Sequence, residues 1–228
     1  MIVAQRKPLD DIVAAIGDAR SVLVLACGSC VTVCLTGGEK QADELASQLR
    51  LAASQAGRPL RVDVDCITRQ CDKEFFANLT KNLTDYDVVL SIACGVGVGF
   101  MSEQFPQVCV VPGLDTTFYG ASAGPGQWAE YCHGCGDCVL AWTGGICPIA
   151  RCSKSLINGA CGGTNDGKCE VSPEMDCGWY LIYKRLEALG RLDELRTCRP
   201  PRDWSKDRSG GARRLTHAEM AVEEEPPS

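Results

Sequence analysis

Cysteine content is the feature that most constrains this chain. Sixteen of its 228 residues are cysteines, whereas only His133 and His217 are histidines. The opening residues, MIVAQRKPLDD, lack the apolar segment of roughly 7–15 residues that a secretory signal requires. In the reducing compartment that this predicts, grouped thiols usually bind metal rather than form disulfides. With so few histidines the ligands must be almost all thiolates, which favours iron–sulfur clusters or tetrahedral zinc.

Composition narrows the class of protein further. Hydrophobic residues make up 45% of the chain and charged residues 23%, which is typical of a globular protein. The net charge of -6 argues against nucleic-acid binding, because such proteins need a basic surface to coat phosphates. No apolar run reaches the about 18 residues of a membrane span. We therefore expect a soluble, cytoplasmic protein.

Residues 1–122 predict an α/β domain with a parallel sheet, of the Rossmann or flavodoxin-like class. Short apolar runs predict strands at 21–26, 60–64, 87–93 and 107–111, and amphipathic or polar patterns predict helices at 8–19, 39–56 and 70–82. Strands that alternate with helices form parallel sheets, whose carboxyl ends share one edge. Cys27, Cys66 and Cys94 each follow a predicted strand. Ligand sites form at that edge, so the three loops should bring these cysteines together.

From Gly120 the pattern changes. Residues 120–128 predict a glycine- and proline-rich linker, and residues 123–199 predict an irregular cysteine-rich domain that metal binding would stabilise. The domain should end in a helix over 179–195, with a break expected at Gly190. Residues 200–228 predict an extended tail, whose basic stretch from Arg202 to Arg214 is either solvated or docked on an acidic partner surface.

The sharpest motif is the run Cys132-x2-Cys135-x2-Cys138, which Cys147-Pro148 follows. Three thiolates at this spacing can bind three corners of one [4Fe–4S] cluster, and a Cys-Pro often supplies another ligand. The longer gap before Cys147 leaves the fourth ligand open. Four further cysteines bring this segment to eight thiols, enough for two cubane clusters or for one cubane and a zinc site: Cys152, Cys161, Cys169 and Cys177.

A second constellation, Cys27-x2-Cys30-x3-Cys34, follows the first predicted strand. A Cys-x-x-Cys redox pair is one interpretation. A cluster with further ligands from Cys94 and either Cys66 or Cys71 accounts better for the third thiol. Cys109 and Cys198 are expected to be structural.

A glycine motif follows Cys94. Gly95-x-Gly97-x-Gly99 lacks the spacing of a dinucleotide site and predicts instead a tight turn that presents Cys94.

Four segments carry a family resemblance: CGSCVTVCLTGGEK (27–40), RQC (69–71), ACGVGVGF (93–100) and CHGCGDCVLAWTGGICPIARCSKSLINGACGGTNDGKCEV (132–171). Together they resemble the methylenetetrahydrofolate reductase C-terminal family, over about residues 1–210. That family includes the small iron–sulfur subunit of acetogen-type methylenetetrahydrofolate reductases. The resemblance implies a separate flavin-containing catalytic subunit, which interconverts 5,10-methylene- and 5-methyltetrahydrofolate in one-carbon metabolism, and a further redox partner.

The resemblance also implies cofactors and ligands. We expect two or three [4Fe–4S] clusters, with zinc as an alternative at some thiols and flavin on the partner. Cys66 is not part of the family's pattern, which favours Cys71. The implied metal ligands are Cys27, Cys30, Cys34, Cys71, Cys94, Cys132, Cys135, Cys138, Cys147, Cys152, Cys161, Cys169 and Cys177.

Three functions stay open at this point. In the first, the chain is a non-catalytic electron-transfer subunit of an oxidoreductase, in which one-electron clusters serve a two-electron flavin. In the second, metal only stabilises a scaffold that docks the flavin subunit. In the third, the chain is an independent enzyme whose substrate binds an iron that lacks a thiolate.

Overall fold

The computed structural model describes residues 1–207, 211–213, 215 and 217. The chain divides into two compact units, Met1–Glu130 and a second unit that begins at Tyr131. Within the described residues, no helix combines the length and the apolar character needed to cross a bilayer.

The first unit is built around a parallel sheet, which confirms the predicted α/β class. Its elements are β1 (Ile2–Arg6), α1 (Leu9–Ile16), β2 (Ser21–Cys27), α2 (Cys30–Val33), α3 (Glu39–Gln55), β3 (Arg61–Ile67), β4 (Val88–Ile92), α4 (Gly95–Gln104), β5 (Val110–Pro112), β6 (Leu114–Gly124) and β7 (Gln127–Cys132). Four strands pair in the order β3-β2-β4-β5, and all their pairings are parallel.

The central strand β2 is buried on both faces. Val22, Val24 and Ala26 pack with Leu45 and Leu49 of α3, on one side of the sheet. Because side chains alternate along a strand, Leu23 and Leu25 point to the other side. There they pack with Leu83, Val89 and Met101. Each fully buried leucine stabilises the fold by about 1.5–3 kcal/mol, so both faces of β2 contribute to the core of the unit.

A second sheet, not predicted from the sequence, pairs β1, β6 and β7 in that order. β1 is antiparallel to β6. The predicted linker over residues 120–128 is therefore wrong, because these residues lie in β6 and β7 and in the turn that joins them. Gly126 has a φ of 70°, which suits a glycine turn. Gly120 lies so close to β7 that a Cβ atom would stand 2.3 Å from the carbonyl oxygen of Ala129.

Two local predictions near the sheet edge are also wrong. Residues 70–82 form no α-helix. They contain one 3-10 helix, Lys73–Asn78, and a second 3-10 helix, Leu83–Asp85, follows them. The carboxylate of Asp65 accepts hydrogen bonds from the backbone N–H groups of Thr80 and Lys81, which holds this segment in a loop. The turn predicted after Cys94 is instead the start of α4.

The second unit contains short elements: α5 (Pro148–Arg151), β8 (Lys168–Cys169), β9 (Ser172–Asp176), α6 (Gly178–Ala188) and 3-10 helices at Leu192–Arg196 and Trp204–Lys206. Its apolar cluster has four buried members, Cys177, Trp179, Ile182 and Leu186. The helix break expected at Gly190 is confirmed, since α6 ends at Ala188 and Gly190 has a φ of 66°. Of the predicted tail, residues 208–210, 214, 216 and 218–228 lie outside the described residues.

Two glycine-to-alanine substitutions should have different effects on stability, because one glycine is tightly packed and the other is exposed in a helix. A Cβ atom on Gly37 would stand 2.0 Å from the carbonyl oxygen of Ile92, so Gly37→Ala should lower the free energy of unfolding by about 3 kcal/mol. Gly99 lies exposed in α4 with open space around it, so Gly99→Ala should be neutral or raise it by about 0.5–1 kcal/mol. Urea unfolding of both variants measures the difference, and equal effects would contradict the packing described here.

Candidate functional site

The first group of thiols lies at the carboxyl edge of the parallel sheet. β2 is in register with β3 and β4, so Ala26 stands opposite both Cys66 and Ile92. The strands therefore end at the same level. Cys27 is the last residue of β2, and Cys94 caps the start of α4 just after β4.

The structure brings four of the predicted thiols of this unit together. The Cys27 thiol lies close enough to those of Cys94 and Cys30 for their charges to interact. The Cys71 thiol interacts in the same way with Cys94 and Cys27. Three loops that are far apart in the sequence thus contribute sulfur atoms to one neighbourhood.

Electrostatics at this edge favour protonated thiols. Burial raises the pKa of Cys27 above its ordinary value, while the backbone N–H groups of Gln70 and Ser29 act in the opposite direction. Burial, then the nearby Glu39 and Cys27, raise the pKa of Cys66. Partial desolvation, then Cys94 and Cys27, raise the pKa of Cys71, whose surface is otherwise exposed. A metal that binds these thiols must displace their protons, so its binding should weaken as the pH falls.

Gln70 holds this edge together and was missed from the sequence. Its fully buried amide donates from Nε2 to the carbonyl oxygens of Leu25 (2.9 Å) and Ala26 (3.2 Å). Its Oε1 accepts from the hydroxyl of Ser91 at 2.6 Å. Gln70 directly precedes Cys71, so its side chain joins the loop that carries Cys71 to the ends of β2 and β4. The only signal in the sequence was its place beside that cysteine.

Cys34 and Cys66 have surroundings that the spacing did not indicate. The Cys34 sulfur lies 3.2 Å from Thr36 Oγ1 and 3.6 Å from the carbonyl oxygen of Val31. It also borders a cavity of about 600 Å³ that residues of β1, β6 and β7 line. Cys66, by contrast, lies close enough to Cys27 for their charges to interact. Cys66 is therefore a further thiol of this edge.

The second group of thiols lines one cavity in the second unit. Cys132, Cys135, Cys138 and Cys147 surround a space of about 180 Å³, together with apolar side chains that include Val139 and Ile149. Gly134 and Gly136 have φ values of 65° and 82°, a left-handed conformation that lets the chain curl between successive cysteines. The Gly134 N–H donates to the Cys132 sulfur at 3.4 Å. Such bonds tune the potential of a cluster that the sulfur ligates.

The remaining four thiols lie around α5, β8 and the start of α6. Cys152 packs against the apolar cluster that contains Cys177. The end of α5 and the start of α6 approach closely because residue 178 is glycine. A Cβ atom there would stand 2.6 Å from the carbonyl oxygen of Arg151. The hydroxyl of Ser153, 3.5 Å from the Cys169 sulfur, lowers the pKa of that thiol. Cys161 lies 3.6 Å from Glu170 Oε1 and accepts from the Gly163 N–H.

The donor set fits a soft metal centre. Thiolates select zinc and iron–sulfur clusters, and four of them around one cavity match the ligand number of a [4Fe–4S] cluster. In the described part of the chain, no three His, Cys, Asp or Glu side chains converge on a position for a single metal ion. The two remaining cysteines, Cys109 and Cys198, are both exposed.

Comparison with known families bears on the second unit. A family model described as methylene-tetrahydrofolate reductase C terminal matches residues 111–205. The resemblance to this family is confirmed over those residues. The matched segment contains all eight cysteines from Cys132 to Cys177, whereas the thiols of the parallel sheet precede it. No curated protein and no solved structure matches the chain.

Replacement of Gln70 tests its role at the sheet edge. Gln70→Leu removes three buried hydrogen bonds and leaves the Ser91 hydroxyl without its acceptor, so the free energy of unfolding should fall by about 2–4 kcal/mol. Gln55→Leu, at an exposed position in α3, should change it by less than about 0.5 kcal/mol. Urea unfolding of the metal-free chain compares the two, and a Gln70→Leu variant as stable as the parent would refute this role.

Proposed function

We propose that this chain is the iron–sulfur electron-transfer subunit of a methylenetetrahydrofolate reductase. One observation carries the proposal: the segment that matches the family's C-terminal model also holds a cavity that four cysteines line. The partner would be a flavin-containing catalytic subunit that interconverts 5,10-methylene- and 5-methyltetrahydrofolate. A further redox protein would supply or take the electrons, and the complex would be cytoplasmic.

The chain's own residues would hold the clusters and tune them. In the second unit, Cys132, Cys135, Cys138 and Cys147 would form one ligand set, and a second set would be Cys152, Cys161, Cys169 and Cys177. In the first unit we propose Cys27, Cys30, Cys71 and Cys94, whose thiols interact. The contacts of Cys34 with Thr36 and Val31 make it a weaker candidate. When bound, the clusters would supply transfer of single electrons.

The surroundings of the thiols suit that task. Val139, Leu140 and Ile149 line the cavity beside Cys147 and would limit access of water to a cluster there. The Gly134 and Gly163 N–H groups donate to the sulfurs of Cys132 and Cys161, which would stabilise their thiolate forms.

A metal-stabilised docking scaffold is the second candidate. The small apolar cluster of the second unit, with four buried residues, favours it. So little buried surface contributes only weakly to stability, and metal binding could then serve folding alone. This candidate needs no electron transfer.

Metal analysis of the full chain separates the two candidates. The chain is purified without oxygen, iron, sulfide and zinc are quantified, and EPR spectra are recorded before and after dithionite. The electron-transfer proposal expects about eight or more irons per chain, matching sulfide and signals that reduction changes, as two [4Fe–4S] clusters require. Zinc without iron would contradict it and support the scaffold.

A pair of cysteine variants tests the assigned ligands. Cys135→Ser should lose about four irons per chain, because a hydroxyl binds iron less well than a thiolate. Cys109→Ser, at an exposed cysteine outside all three groups, should keep the iron content of the parent. Iron content on the folded, monodisperse proteins is the measurement. Full iron in Cys135→Ser would exclude Cys135 as a ligand.

A further inference from the structure

Three basic residues contact the loop that carries Cys132, Cys135 and Cys138, which we call the cysteine loop. Arg202 Nη2 donates to the carbonyl oxygen of Cys135 at 2.9 Å. Arg213 Nη2 donates to the carbonyl oxygen of Gly134 at 3.0 Å. Lys206 Nζ donates to Asp137 Oδ1 at 3.2 Å. We call Arg202, Lys206 and Arg213 the basic clamp.

The contact is tight at the backbone as well. A Cβ atom on Gly136 would stand 2.6 Å from the carbonyl oxygen of Lys206, so only glycine fits at this contact. The same Lys206 carbonyl accepts a hydrogen bond from Arg213 Nη1 at 3.0 Å. The basic clamp therefore contacts the cysteine loop through the Lys206 main chain as well as through its side chains.

Arg202 is the central member of the clamp. Its side chain is only 4% exposed, and its guanidinium lies 4.5 Å from the centre of the Trp204 ring. Its nearest carboxylate, Asp207, is 3.7 Å away, and its Nε has no hydrogen-bond partner in the part of the chain that the structure describes. Burial of this charge costs desolvation energy, which its contacts with Trp204, Asp207 and the cysteine loop offset in part. Among the described residues, its hydrogen-bond acceptor is the Cys135 carbonyl.

The clamp has a defined effect on the peptide groups of the loop. In a planar trans peptide, the C=O and the following N–H point in opposite directions. The carbonyl of Gly134 points towards Arg213, so the Cys135 N–H of the same peptide group points away from Arg213. Arg202 fixes the Gly136 N–H likewise by holding the Cys135 carbonyl. Hydrogen bonds to the carbonyls also polarise these peptides and strengthen their N–H groups as donors.

We propose that the basic clamp positions the cysteine loop so that its peptide N–H groups face the ligand sulfurs, and that it thereby raises the reduction potential of a cluster held there. This inference rests on the proposed function, because it needs a redox cluster at Cys132, Cys135 and Cys138. In the redox step, one electron passes from a low-potential one-electron donor to the iron of the site, and no covalent bond of the protein changes. N–H groups that face the sulfurs stabilise the additional negative charge. Arg202 and Arg213 are positioning residues, since they act through the loop.

The charges around the clamp do not by themselves set the potential. Asp137, Asp203 and Asp207 lie within 4.0 Å of Lys206 or Arg202, so these two basic groups face three carboxylates. The direction of the hydrogen bonds to the loop, rather than a net positive charge, carries the effect.

The experiment measures the midpoint potential of the full chain by EPR-monitored redox titration with dithionite as donor. Arg202→Met should lower the equilibrium constant for reduction about tenfold, which is about 59 mV for one electron. Arg213→Gln should lower it in the same direction, and Arg202→Lys should restore part of the loss because it can still donate to the Cys135 carbonyl. Lys184→Gln is the matched control for Lys206→Gln. The two lysines are 52% and 51% exposed, and each pairs with a carboxylate, but Lys184 pairs with Glu187 of its own helix.

The outcomes distinguish the clamp from the function on which it rests. Lys184→Gln should leave the potential unchanged, while Lys206→Gln, which removes the hydrogen bond that holds Asp137 of the cysteine loop, should lower it. If the parent chain contains no reducible iron, the proposed function fails and the clamp with it. If Arg202→Met and Arg213→Gln keep full iron and the parent potential, only the clamp is refuted. Where Arg202→Met does not fold, Arg202→Lys and Arg213→Gln decide by the same criterion.

Discussion

The parallel pairing of β2 with both β3 and β4 is the constraint on which the first group of thiols depends. The shared register brings the three strands to an end at one level, so the residues that follow them meet at one edge. β2 is buried from its second residue onward, so it lies at the centre of the sheet between β3 and β4. Gln70 then fastens the edge by bonding β2 and β4 at once.

The second unit obeys a different constraint. Its apolar cluster is small, and its cysteines lie on loops and short elements rather than at the ends of a sheet. Left-handed glycines between the cysteines and close contacts at Gly136 and Gly178 shape these loops. If metal binds as proposed, its binding free energy is also folding free energy for this unit. The hydrogen bonds from Arg202 and Arg213 to the cysteine loop would then affect both the folding stability of this unit and the reduction potential of the cluster.

Much of the first unit could be predicted because its signals are local. The run at 21–26 became the strand Ser21–Cys27, and the periodic stretch at 39–56 became the helix Glu39–Gln55. The antiparallel sheet was missed because β1 and β6 pair across almost the whole unit, and no local pattern reports such a partner. The segment at 70–82 was misjudged because the Asp65 carboxylate, near the end of the preceding strand, holds its backbone in a loop, and no helical pattern reports such a contact.

In the candidate site, too, features with a local sequence pattern were predicted, and features that depend on tertiary contacts were not. Spacing grouped Cys132, Cys135 and Cys138 and left the fourth ligand open, and Cys147 lines the same cavity as these three. Spacing could not tell that the Cys34 sulfur contacts Thr36 and Val31 while Cys66 lies near Cys27, because side-chain direction follows from the folded loop. Gln70 and Arg202 carry no recognisable motif, and only their burial and contacts reveal them.

Electron transfer to a flavin is the central claim, and rapid mixing tests it most directly. The chain is reduced without oxygen, freed of excess reductant and mixed with an oxidised flavin-containing methylenetetrahydrofolate reductase subunit, while flavin absorbance and EPR of the chain are followed. The account predicts that the flavin is reduced as the chain is oxidised, with two electrons lost by the chain for each flavin fully reduced. A stable complex in which the reduced chain keeps its electrons would contradict it.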